Sequence, residues 1–170
     1  MHVAIVGAGP TGLFLGAALA HRGHRVTAVD RDAGPASDGR WSRRGVMQFH
    51  HAHGFRAQIG DALRAEIPEA VDRWVAAGAE PIEFTLPDGR RMPGGMRSRR
   101  ETFERALRTA VVGTPGLTLH RGHVDAVTLE GPHARGLVVD GAELPADLVI
   151  DASGRAGRAT RPLRRRARST

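Results

Sequence analysis

The feature that most constrains this chain is the run Gly7-Ala8-Gly9-Pro10-Thr11-Gly12, extended by Gly16. It directly follows residues 2–6, His-Val-Ala-Ile-Val, a short β-branched segment whose pattern predicts a buried parallel strand. It opens residues 11–22, where Leu13, Phe14, Leu15, Ala17, Ala18 and Leu19 make a helix apolar on most sides. Gly23 follows in the position where a positive φ costs little and helices stop. Residues 25–29 predict a second strand, ended by Asp30, which stands 18 positions beyond Gly12. Strand, glycine turn, helix and strand form a βαβ unit, right-handed by default.

A glycine motif of this spacing is weak alone and specific in that setting. Gly7 permits the tight turn. Gly9 has no Cβ, so the backbone can approach a pyrophosphate, and Gly12 and Gly16 let the helix sit close to the sheet. The helix start, at Pro10 and Thr11, offers unpaired N–H groups and the positive end of the helix dipole to phosphates. Asp30 would accept hydrogen bonds from both ribose hydroxyls, and its charge repels a 2′-phosphate, so the ligand is FAD or NAD and not NADP. Gly7, Gly9, Pro10, Thr11, Gly12, Asp30 and the adjoining Arg31 are therefore the first candidate cofactor-binding residues.

The rest of the chain continues the α/β pattern. Residues 31–53 are polar and irregular. Two helical segments split at Pro68 are expected between Gly54 and Ala79, then a hairpin over 82–92 turning at Asp88-Gly89. Residues 99–111 predict a helix and 117–121 a strand. Residues 123–145 hold two or three short alternating strands separated by Gly131-Pro132 and Asp140-Gly141. Residues 147–151, Asp-Leu-Val-Ile-Asp, predict another buried strand closed by Ala-Ser-Gly. The expected organisation is a dinucleotide-binding domain over 1–154, with a mainly parallel sheet, helices on both faces and a small antiparallel meander. Residues 155–170 are an arginine-rich tail expected to be disordered.

That tail explains the charge. The chain of 170 residues has a net charge of +7, and with no lysine all 25 basic residues are arginine. Seven of them lie in 155–170, which holds no acid, so the remainder balances 18 arginines against 18 acids. The basicity gives no support to specific nucleic-acid binding by the domain. The absence of cysteine excludes a disulfide framework, a zinc–thiolate site and a thiol nucleophile. No apolar run approaches the roughly 18 residues of a membrane span. A cytoplasmic protein acting on a small molecule, with no membrane association, is the expectation.

Three motifs beyond the glycine loop carry a family resemblance. Arg43-Arg44-Gly45-Val46 follows the second strand, Arg100-Glu101-Thr102-Phe103-Glu104-Arg105-Ala106-Leu107 opens a helix, and Asp151-Ala152-Ser153-Gly154 closes a late strand. With the glycine loop they resemble the FAD-dependent monooxygenases and epoxidases of the aromatic-hydroxylase type. The resemblance implies a Rossmann-like FAD/NAD(P)-binding fold with FAD as cofactor and NAD(P)H as electron donor. It implies transfer of one oxygen atom from O₂ to a small organic substrate. It places Arg44 near the flavin, Arg100 at the FAD pyrophosphate or ribityl region, and Asp151 and Gly154 in a further cofactor loop. In that loop Ser153 and Gly157 depart from the common aspartate and serine, which weakens an NAD(P)H-contacting role. The family's second FAD motif and its sheet-bearing substrate domain have no match here, so a truncated FAD-binding part is expected, with no catalytic residue assigned. A non-catalytic FAD-binding remnant and a compact NAD-binding oxidoreductase are the alternatives.

Two other chemistries are set aside. His50, His51 and His53 are too closely spaced to share one helix face and have no acidic neighbour in sequence, so no metal site is expected. Ser153 lacks the Gly-x-Ser-x-Gly elbow of a hydrolase.

Overall fold

A computed structural model describes residues 1–43 and 45–154. The elements run β1 (His2–Val6), α1 (Pro10–His21), β2 (Arg25–Asp30), β3 (Ala52–Arg56), α2 (Ala57–Glu66), α3 (Pro68–Ala76), β4 (Glu80–Thr85) and β5 (Arg91–Arg99). They continue with α4 (Arg100–Val111), β6 (Leu117–Arg121), β7 (Val124–Glu130), β8 (His133–Val139), β9 (Ala142–Pro145) and β10 (Leu148–Asp151). They divide into two compact units, one built from Met1–Gly34 with the chain from Gly113 onward, the other from Pro35–Val112. The tail 155–170 and Arg44 lie outside the described residues.

The first unit holds a four-stranded parallel sheet in the order β10-β1-β2-β6. Val3, Ile5, Val26 and Ala28 alternate onto one face and are completely buried. Helix α1 covers that face. It has Pro10 at its first position, where the missing N–H costs nothing. Gly16 brings it down on the sheet: a β-carbon there would stand 3.0 Å from Leu117 Cδ1 and 3.8 Å from Ile5 Cδ1. Gly23 follows the helix with φ +81°, and its N–H bonds the Ala20 carbonyl at 2.9 Å, the glycine stop that the sequence announces.

The other face of the sheet carries Ala4, Val6 and Val29, packed with Leu137, Val139 and Ala146 in one apolar cluster. Those last residues belong to the antiparallel meander β7-β8-β9 and its exit. Of the helices expected on both faces, this unit itself supplies α1, and the meander is the second layer. Of the two or three strands expected over 123–145, three form, with turns at Gly131-Pro132 and Asp140-Gly141.

The second unit is a three-stranded antiparallel sheet, order β3-β5-β4, with α2, α3 and α4. Trp74 is completely buried, its ring 4.9 Å from Phe55 and 4.7 Å from Phe103. Its indole N–H donates to Ser98 Oγ at 2.8 Å. Pro68 opens α3, as its fixed φ allows, and Ile67 before it has left the helical conformation, at φ −146° and ψ 64°. The β4–β5 hairpin turns at Asp88-Gly89, with Gly89 at φ +84°. Strand β3 corrects the expectation of helix from Gly54: Ala52–Arg56 pairs antiparallel with β5 from Ala52↔Arg99 to Arg56↔Gly95.

Candidate cofactor site

The glycine loop leaves the C-terminal end of β1 at the point where its neighbours diverge, β2 on one side and β10 on the other. Ligands of open parallel sheets bind at such a reversal of strand order, beyond the carboxyl ends. Gly7 has φ +100°, and a β-carbon on it would stand 2.8 Å from the Ala152 carbonyl oxygen. Its N–H bonds the Val29 carbonyl at 2.7 Å. The loop is thus wedged between the ends of β2 and β10, and only glycine fits its first corner.

Gly9 is the N-cap of α1 at φ −77° and ψ −176°, ordinary extended backbone. No side chain caps this helix end, and the first helical amide bond runs from Leu13 N–H to the Gly9 carbonyl at 2.9 Å. Pro10 has no N–H, so the Thr11 and Gly12 amides precede the helical ladder and point outward with the positive end of the dipole. Thr11 is exposed, and Gly9 and Pro10 are half-buried. This is a receptive end for a phosphate.

Asp30 ends β2 beside the loop. Its Oδ2 accepts the Ala8 N–H at 2.8 Å and its Oδ1 accepts the Asp32 N–H at 3.0 Å. These bonds, unforeseen from the sequence, aim the carboxylate and tie it to the loop. Arg31 follows Asp30, exposed. At the end of β10, Asp151 Oδ1 accepts both the N–H and the hydroxyl of Ser153, and Gly154 turns the chain at φ +75°. The structure therefore gathers Gly7, Gly9, Pro10, Thr11, Gly12, Asp30, Arg31, Asp151 and Gly154 at one end of one sheet.

Arg100 belongs to the other unit, and Arg44 lies outside the described residues. Arg100 begins α4, a third exposed, with its Nε donating to Glu104 Oε1 at 2.6 Å. Glu104 Oε2 takes a second guanidinium, that of Arg43, at 2.7 Å. Glu104 is 1% exposed. The i,i+4 spacing of Arg100 and Glu104 was a visible signal for the pair; the burial and the second arginine were not. The first amides of α4 are taken up by the preceding loop, Arg100 N–H to the His51 carbonyl at 3.1 Å and Glu101 N–H to the Phe49 carbonyl at 2.8 Å. In this α4 differs from α1, whose end is receptive. His50 Nδ1 lies 2.9 Å from Glu101 Oε2, and the His53 ring meets Phe55 edge-on at 6.1 Å. Burial pushes the Glu101 carboxyl up, but hydrogen bonds from Arg105 and His50 outweigh it and hold the group below its ordinary value. No helix among the described residues is long and apolar enough to cross a membrane.

Residues 1–63 match the family described as FAD binding domain. Among solved structures, the chain is similar to the myxobacterial chondrochloren halogenase CndH, a variant of the FAD-dependent halogenases. The identity is 23% and the TM-score 0.68, over 94% of this chain and 38% of that one. It is similar to pqsL, a probable FAD-dependent monooxygenase from Pseudomonas aeruginosa, at 20% identity and TM-score 0.66, over 100% and 46% of the two chains. It is similar to CtdE, solved in complex with FAD, at 21% identity and TM-score 0.61, over 91% and 38%. The chain thus spans less than half the length of each of these structures. The likenesses show the fold, a Rossmann-like α/β domain. The family match, which takes in the glycine loop, α1 and Asp30, decides between the ligands that Asp30 leaves open: the cofactor is FAD.

Proposed function

We propose that this chain is the FAD-holding part of a cytoplasmic flavoprotein monooxygenase that acts on a small organic substrate with NAD(P)H as electron donor. The observation that supports this best is the cradle at the ends of β1, β2 and β10, where Gly7 admits no β-carbon and the start of α1 is uncapped. FAD, when bound, supplies two-electron redox chemistry and reaction with O₂. The residues of this chain do the holding. The Thr11 and Gly12 amides face the diphosphate, Gly9 lets it approach, and Pro10 fixes the first turn of the helix that presents them. Asp30 holds the adenosine ribose by its hydroxyls, and Arg31 adds positive charge at the adenosine end. Asp151 and Gly154 shape the turn that flanks the loop. Arg44 and Arg100 bring further positive charge to the cofactor, a role carried over from the resemblance of their motifs. None of these groups is assigned an acid, base or nucleophilic role.

The test is bound-cofactor identification. The purified chain is expected to take up FAD with the absorbance of an oxidised flavin, to release it as FAD by mass, and to lose uptake in Gly9→Val. Anaerobic bleaching of that absorbance by NADH or NADPH tests the donor. A chain that binds NAD but no FAD would overturn the reading.

A further inference from the structure

In the proposed function the start of α1, reached from the end of β1, takes the diphosphate, and Asp30 at the end of β2 takes the adenosine ribose. A nucleoside carries its base across the ribose ring from the phosphate-bearing carbon, so the base leads away from β1. In the order β10-β1-β2-β6 the next strand on that side is β6, and its last residue is Arg121. Arg121 is the register partner of Asp30. The ladder holds to its end, where the Gly122 N–H donates to the Asp30 carbonyl at 3.0 Å. Side chains alternate along a strand, so Leu117, Leu119 and Arg121 share one face of the sheet. That face is the one under α1, because a β-carbon on Gly16 would stand 3.0 Å from Leu117 Cδ1. Val26, Ala28 and Asp30 share the same face on β2. The chain then leaves β6 through Gly122, where a β-carbon would stand 2.6 Å from Val139 Cγ1 and 2.8 Å from Asp140 Oδ2. This packing against the meander fixes where β6 ends. Arg121 itself is exposed, and among the described residues it pairs with no carboxylate.

We propose that Arg121 is a specificity-determining residue that recognises the purine base of the bound dinucleotide. A guanidinium is planar and weakly hydrated, and it stacks on aromatic faces in a way that an ammonium does not. A purine offers a larger face for this than a pyrimidine. The inference rests on the reading of Asp30 as the holder of the ribose, and it adds to that reading what selects the base.

The experiment compares ADP with CDP, which share ribose and diphosphate and differ in the base. Calorimetric titration of the full chain gives both dissociation constants, flavin fluorescence gives that of FAD, and melting temperatures are measured alongside. The parent chain is expected to prefer ADP. Arg121→Ala should weaken ADP and FAD alike by about tenfold, the size of a base-stacking contact. It should weaken CDP far less, so that the preference collapses, with the melting temperature unchanged because the side chain is exposed. Arg121→Lys keeps the charge without the plane and should recover only part of the loss. Parent affinity for ADP in Arg121→Ala overturns the inference. So do equal losses for ADP and CDP, which make Arg121 a charge acting on the phosphates, and so does full recovery in Arg121→Lys. A parent chain that binds neither ADP nor FAD, or that loses no affinity in Asp30→Ala, removes the underlying reading and the inference with it. Loss in Asp30→Ala with none in Arg121→Ala removes the inference alone.

Discussion

Gly12 sits so tightly over the Gly7 carbonyl that a β-carbon on it would stand 1.9 Å from that oxygen. No side-chain rotation relieves such a clash, because both partners are backbone. Gly12→Ala is therefore expected to cost about 3 kcal/mol of stability or more, in the range of overpacked cores. Thermal unfolding should show a clear drop in melting temperature, and FAD uptake should fall with it. An unchanged melting temperature would mean that α1 and the loop can separate without penalty.

Gly9 should behave differently. Its backbone is extended, a conformation any residue adopts, so nothing in its own φ and ψ demands glycine. Gly9→Val is expected to leave the far-ultraviolet circular dichroism and most of the stability intact. It should abolish FAD binding, because a branched side chain fills the space where phosphate approaches the start of α1. A fluorescence titration with parent affinity would take Gly9 out of the site.

Asp30 has two tasks, and its variants should separate them. Asp30→Ala removes the proposed ribose contact and also the acceptor for the Ala8 and Asp32 amides. It should cost about 2–4 kcal/mol of FAD affinity. Asp30→Asn keeps one oxygen that can still accept an amide, so it should cost less. Equal losses in the two variants would show that the charge, and not the acceptor geometry, does the holding.

The buried Trp74–Ser98 bond gives a prediction independent of any ligand. Ser98→Ala strands the indole N–H inside the aromatic cluster, for a cost of about 1–3 kcal/mol. Ser98→Thr, which keeps the hydroxyl, should restore part of it. Chemical denaturation measures both.

Acid stability should report on Glu101. Its carboxyl is held below the ordinary value of 4.5 by Arg105 and His50. A depressed folded value contributes stability that is present above the unfolded value and is lost as pH falls through the folded one. Glu101→Gln should flatten the decline in stability below about pH 4.5 and leave its behaviour above that pH with a constant offset. The same acid slope in parent and variant would show that this pair contributes nothing to folding.

The parts that the sequence disclosed are those governed by local chemistry. The strand of residues 2–6, the glycine turn, the helix stopped at Gly23 and the acid at the end of β2 all announce themselves within a few residues of one another. The Asp88-Gly89 hairpin and the two turns of the meander do so for the same reason. Strand β3 escaped because Ala-His-Gly-Phe-Arg has no β-branched residue, and its extended form comes from pairing with β5, 39 to 47 residues on. The pairing of Arg43 with Glu104 spans 61 positions and was invisible for the same cause. The Ala8–Asp30 bond lies between two residues that were both inside the motif, yet nothing in residue type says that the carboxylate proposed for the ribose also holds the loop.

Among the described elements β1 is the first made and β10 the last, and they are paired from Val3↔Leu148 to Val6↔Asp151. Asp147 joins the same seam: its N–H donates to the His2 carbonyl at 2.8 Å and its Oδ2 accepts the His2 N–H at 2.6 Å. The wall behind Gly7 is the Ala152 carbonyl. During synthesis the βαβ unit is thus complete in sequence after 30 residues, but its nucleotide cradle lacks one side until about 120 more have been added. At about 5–20 residues per second that is a wait of several seconds or more, during which the β10-facing edge of β1 is unpaired. An unpaired strand edge is a template for association with other chains. Strand β10 therefore does more than widen a sheet: its arrival covers the open edge of β1 and sets the wall behind Gly7 in one step.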